Sequence, residues 1–234
     1  MSEWAAKRFW TDVSVVAEEG AFAIKLDDRP VRTPAKRTLA VPTEAMARHI
    51  ADEWQAQAEV IDPKSMPWTR SANAAIDKVA QQRDEVMEYL AGYADTDLLF
   101  YRAESPDALV ERQRVQWDPV LDWIAIRYGA KFVQTAGIMP VSQSSEALMA
   151  VTGEMETMSD FQITAFHDLV TLSGSFALGL CVVEGLRDPG AIWDLSRLDE
   201  TWQIEQWGED EEAREVAELK KAAFLHATDF FRAA

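Results

Sequence analysis

The hydrophobic period of this chain changes near residue 65, and that change restricts the folds open to it. Upstream, residues 12–17 (DVSVVA) and 21–26 (AFAIKL) alternate apolar and polar side chains, the two-residue period of half-buried strands. Glu18, Glu19 and Gly20 between them predict a hairpin turn. Asp27 and Asp28 predict a second turn, leading to short strands at 30–33 and 38–41. Pro42 and Thr43 open a helix to about Gln57, with Thr43 as N-cap and Met46, Ile50 and Trp54 on its buried stripe. A proline-punctuated connection follows at 62–67 (DPKSMP), and after it the pattern is helical throughout. The expected helices run over about 68–81 and 84–93, then to Trp117 behind a Ser105 N-cap and a first-turn Pro106. Pro119 starts or kinks the next segment and Gly129 stops it, and further helices span 146–158, 159–184, 188–206 and 209–231. Strands first and helices after imply an α+β chain. Its small N-terminal domain of antiparallel strands plus a helix is expected at 1–66, followed by a larger all-α C-terminal domain at 67–234.

Charge narrows the partners. Forty acidic against 23 basic side chains leave −17, which repels nucleic acid and anionic lipid surfaces and favours a partner with a basic patch. The longest apolar stretch, 161–183, carries Gln162, His167 and Asp168, so it reads as a buried central helix and no membrane insertion is expected. Gly174, Ser175, Ala177 and Gly179 within it would let neighbouring helices approach closely. The lone Cys181 lies in the same run (LGLCVV) and reads as a small core residue of a chain from a reducing compartment. The N-terminal MSEWAAKRFW has neither a signal-peptide core nor a transit-peptide pattern, so the cytoplasm is the expected location. Trp54 and Trp117 read as structural.

Catalytic chemistry is sparse. There is no phosphate-binding GxxxxGK[ST], no GxGxxG after a strand and no GxSxG elbow. His49, His167 and His226 fall on three separate helices with no metal-ligand spacing, and Asp95 and Asp97 read as turn or cap residues. No catalytic residue, metal or cofactor is expected. The segment 196–210 (SRLDETWQIEQWGED) is different in kind, because on a helix it carries two apolar stripes. Leu195, Leu198 and Trp202 form one stripe, with Glu205 inside it. Trp193, Ile204 and Trp207 form a second, roughly opposite, shared with Arg197 and Glu200. Glu200 and Glu205 stand about 140° apart on such a helix, too far round to act as a carboxylate pair. An acid/base hydrolase would need a pocket gathering Glu200 or Glu205 with His167 or Asp97. A generic protein-interaction scaffold would bury its tryptophans.

Several stretches together resemble the assembly-chaperone family for the alpha subunit of the ATP synthase catalytic head: MPWTRSANAAIDKV from Met66, DTDLLFYR from Asp95, LVERQRVQWDPVLDW from Leu109, SRLDETWQIEQWGED from Ser196, and ADEWQAQ around Glu53 and Trp54. Trp68 stands where the family pattern has a leucine-like residue. The resemblance implies a non-enzymatic chaperone built from a mixed N-terminal domain and a helical C-terminal one; a monomer without cofactor is expected. It implies the free alpha subunit as client, held so that the surface facing the beta subunit is shielded. Family members in mitochondria carry transit peptides, so a bacterial cytoplasmic protein or a processed matrix form is implied. A chaperone of this kind needs an exposed aromatic patch rimmed by charge. Trp193, Glu200, Ile204, Glu205 and Trp207 are the expected partner-binding residues, with Glu205 pairing either a basic group of the client or an adjoining helix.

Overall fold

The computed structural model describes residues 7–18, 20–137 and 139–234, which group into two compact units. The first comprises Met1–Arg83, Ser159–Ala165 and Asp229–Ala234; the second comprises Asp84–Met158 and Phe166–Thr228. Short antiparallel strands precede a mostly helical body, so the chain is α+β as its periodicity implies.

In the first unit, β1 (Val13–Glu18) and β2 (Ala21–Leu26) form a hairpin in register from Val13↔Leu26 to Glu18↔Ala21. Gly20 takes the left-handed φ of 84° that the turn requires, and Glu19 lies outside the described residues. The other edge of β2 pairs with β3 (Arg29–Pro30) and then with β4 (Ala40–Val41). β2 is the central strand, and its Ala23, Ile24 and Leu26 are buried. Helix α1 (Glu44–Gln55) covers the sheet with Met46, Ala47 and Ile50, all fully buried, and Thr43 accepts the Met46 amide as its N-cap. Trp54 meets Trp10 edge-on at 5.3 Å between ring centroids, a structural role as expected.

The helix α2 (Pro67–Asp77) begins at Met66, whose side chain cannot cap it. Glu53 of α1 does so instead, accepting the Trp68 amide at 2.6 Å, the Thr69 amide at 2.8 Å and the Thr69 hydroxyl at 2.7 Å. Partial burial pushes this carboxyl above its ordinary pKa, against the lowering effect of those three donors. The expected helix to residue 81 stops at Asp77 and ends in a 3₁₀ turn, Val79–Gln81.

The second unit holds most of α3 (Arg83–Asp95), then α4 (Asp107–Tyr128), α5 (Ser145–Thr152), most of α6 (Asp160–Ser173), α7 (Phe176–Val183), α8 (Pro189–Ser196), α9 (Leu198–Trp207) and most of α10 (Glu211–Ala233). A two-residue parallel pair, β5 (Tyr101–Arg102) with β6 (Thr135–Ala136), also lies here. Four expectations are corrected. Ser105 is not the cap of α4: Pro106 is, and it makes no side-chain bond. Pro119 does not start a new segment, because it sits within the 22 residues of α4. The carbonyl it leaves without an amide partner belongs to Val115, which is 55% exposed, so water can satisfy it. The expected single helix over 159–184 breaks at Gly174, whose φ of 70° is left-handed, and Ser175 caps α7 by accepting the Leu178 amide at 3.0 Å. The expected helix over 188–206 breaks at Arg197 (φ −106°, ψ 15°). There the Ser196 hydroxyl bonds back to the Trp193 carbonyl at 2.6 Å.

The central position of α7 follows from its sequence: Phe176 to Val182 are all buried. A side chain at Gly179 would place its Cβ 2.9 Å from Val170 and 3.0 Å from the Phe166 ring, so only glycine lets α6 and α7 come this close. Asp97 is fully buried beside them, accepting the Leu99 amide at 3.0 Å and the Ala177 amide at 2.9 Å. It thereby caps both a 3₁₀ turn and the N-terminus of α7, the role its sequence context suggests. Burial pushes its carboxyl from 3.8 up to about 6.

Two outcomes follow from these caps. Glu53→Ala should lower the urea-unfolding free energy by about 1–3 kcal/mol, whereas the exposed Glu59→Ala should leave it within about 0.5 kcal/mol. Because the folded Asp97 holds its proton to higher pH than the unfolded chain, its contribution falls as pH rises. The stability advantage of the wild type over Asp97→Asn should therefore shrink by about 1–3 kcal/mol between pH 4 and pH 6. A gap that stays flat across that window would mean that the folded carboxyl titrates as it does in the unfolded chain.

Candidate binding groove

Breaking the helix at Arg197 redistributes the two stripes. Leu195 on α8 and Leu198 on α9 are buried, and the Leu195 carbonyl accepts the Trp117 indole N–H at 3.0 Å. Trp117, fully buried on α4, is structural as expected. On the same side of α9, Gln113 donates to Asp199 at 2.7 Å while accepting the Ala103 amide at 2.8 Å. Arg112 grips Glu205 with two bonds of 2.9 and 2.8 Å, and its guanidinium lies 4.9 Å from the centre of the Trp202 ring. Glu205 therefore locks an adjoining helix of its own chain, and the Arg112 bonds hold its carboxyl below its ordinary pKa.

The opposite side of α9 lines a groove of about 530 Å³, with α8 at one end and α10 as the facing wall. Trp193 forms part of the lining but is 4% exposed, its ring 5.5 Å from that of Phe224. Its stripe is thus split, because the other two members reach solvent: Ile204 is 41% exposed and Trp207 is 79% exposed. Glu200 also lines the groove and is tied to Arg197 at 2.9 Å. Of the five expected site residues, the groove gathers Trp193, Glu200, Ile204 and Trp207, while Glu205 faces away toward α4.

The facing wall was not singled out in the sequence. It brings Arg214, Glu218 and Lys221 from α10, with Glu209 and Asp210 from the connection. Arg214 pairs with Glu218 at 3.1 Å and stands 3.8 Å from both Glu209 and Glu211; Lys221 reaches Asp194 at 3.2 Å. Only the fold pairs α9 with α10. Arg112 was equally hidden, although it lies in the LVERQRVQWDPVLDW stretch that carries the family resemblance.

Among the described residues no catalytic constellation assembles. Glu200 is in an ion pair, Glu205 is held ionised, Asp97 is sealed in the core, and His167 lies 3.2 Å from its neighbour Asp168 and stacks on Tyr89. Burial pushes the Cys181 thiol up to about 12, leaving it inert at neutral pH. Among the described residues no group of three or more His, Cys, Asp or Glu side chains could hold a metal ion.

A family model described as "ATP12 chaperone protein" matches residues 7–125. The chain belongs to the ATP12 chaperone family. It is 26% identical over 223 residues to protein atp12, mitochondrial, of Schizosaccharomyces pombe, covering 90% of this chain and 76% of that protein. The crystal structure of Atp12 from Paracoccus denitrificans superposes with a TM-score of 0.94 at 49% identity, over 98% of this chain and 99% of that one. The Atu1473 protein of Agrobacterium tumefaciens superposes with a TM-score of 0.93 at 41% identity, over 97% of this chain and 85% of that one. These ATP12 relatives make the chain an ATP synthase assembly chaperone and not an enzyme, in keeping with its sequence motifs. Among the described residues, no helix is long and apolar enough to cross a membrane.

The grip on α9 can be tested directly. Its two side chains are 30% and 44% exposed, so Arg112→Ala should cost at most about 1 kcal/mol globally. Amide exchange across Leu198–Trp207 should nonetheless quicken, since this ion pair ties the outer turn of α9 to α4. Unchanged exchange there would show that the helix is positioned by its apolar face alone.

Proposed function

We propose that this chaperone binds the free alpha subunit of the ATP synthase catalytic head and shields the surface that later meets the beta subunit. The observation that carries the reading is Trp207, 79% exposed at the edge of an acidic, part-apolar groove. A large indole left in water costs about 1.5–3 kcal/mol relative to burial, so an interface that covers it is favoured. A scaffold with its tryptophans buried would not present it.

Ile204 and Trp207 supply the apolar contact, Glu200 the charge at its rim, and Trp193 the floor that sets the groove's depth. Glu205 acts at one remove, holding α9 through Arg112. Charge supports a basic client surface. The second unit holds 26 of the 40 acidic side chains but 10 of the 23 basic ones, a balance of −16 out of −17. Such a field speeds the approach of a basic partner and fades with salt. The protein acts as a monomer, in the bacterial cytoplasm or, as a processed form, in the mitochondrial matrix.

Trp207→Ala and Glu200→Ala should both keep cooperative unfolding with little change in midpoint. Trp207→Ala should abolish suppression of alpha-subunit aggregation in a light-scattering assay, and Glu200→Ala should weaken it several-fold. Full activity in both folded variants would sink the groove as the client site.

A further inference from the structure

Every cation lining the groove is already engaged by a carboxylate of the same groove: Arg197 by Glu200, Lys221 by Asp194, and Arg214 by Glu218 with Glu209 nearby. Arg214 stands out among them. It has three carboxylates within 3.8 Å, on the wall that faces Trp207. Its side chain is 40% exposed, so these bonds are made in water and each is weak. The second unit as a whole is strongly acidic, so a cation on this wall is surrounded by more carboxylates than it can neutralise.

We infer that Arg214 is an internal stand-in for a basic residue of the client. The occupant of the groove is a client segment carrying an apolar side chain, which covers Trp207 and Ile204, beside an arginine or lysine. That incoming cation takes over Glu209 and Glu218 while Arg214 swings out to solvent. This inference rests on the groove being the alpha-subunit site and adds what regulates it. The exchange trades like for like, so it contributes little affinity. It keeps the acidic wall neutralised when the groove is empty, and it makes binding demand both a cation and an apolar group.

The test is titration calorimetry of the full-length chain and its variants against purified ATP synthase alpha subunit, at low and at moderate salt. Arg214→Ala removes the competitor and should tighten binding about two- to five-fold at low salt, with a steeper loss of affinity as salt rises. Arg214→Lys should bind as the wild type does, and Glu218→Gln should bind more weakly. If Arg214→Ala binds equally or more weakly while Trp207→Ala loses binding, the stand-in role is overturned and the groove survives as the client site. If Trp207→Ala also binds normally, the groove itself is wrong. Sedimentation of the chain alone provides a second check: a concentration-dependent dimer lost in Trp207→Ala would make a second copy the occupant and overturn the inference.

Discussion

Everything in the groove depends on how α9 is fastened, and its side-chain bonds to α4 run along one side. Trp117, Gln113 and Arg112 form a ladder on α4, reaching in turn Leu195, Asp199 and Glu205. The first two are buried, where a donor left without an acceptor costs about 1–3 kcal/mol, so they fix the register of α8 and α9 against α4. The outermost is a solvent-exposed bidentate pair that adds geometry more than energy. The face bearing Ile204 and Trp207 lies on the other side, and both side chains reach the surface. It is therefore free to serve a partner.

The same division appears in the charges. Carboxylates on the α4 side of α9 are consumed internally, Asp199 by Gln113 and Glu205 by Arg112. Those on the groove side remain at the surface in loose pairs. Apolar area close to displaceable ion pairs is a surface that can bind and still let go, since no single contact on it is strong. A permanently assembled subunit would want the reverse.

Much of this was legible in the sequence. Period-two alternation located β1 and β2, Thr43 capped α1 as its position suggested, and Gly129 ended α4 in the left-handed conformation. The opposite orientation of Glu200 and Glu205 also followed from helical spacing, because the break at Arg197 precedes both. What stayed hidden depended on tertiary partners. Nothing local to α2 announces that Glu53, a helix away, caps it. The break at Arg197 goes with the Trp117 indole taking the Leu195 carbonyl, a bond across 78 residues of sequence. Burial of Trp193 beside exposure of Trp207 likewise requires knowing where α10 runs.

The left-handed turn at Gly174 has a consequence for the fate of the nascent chain. An unbroken helix over the apolar stretch would be long enough to match a bilayer's hydrocarbon thickness of about 30 Å. Divided as it is, the longer half has 14 residues and reaches about 21 Å. Among the described residues neither half is long enough to cross a bilayer as a helix. The turn at Gly174 thus adds a length limit to the polar cost already set by Gln162, His167 and Asp168, and the most hydrophobic part of the protein is spent on its own interior.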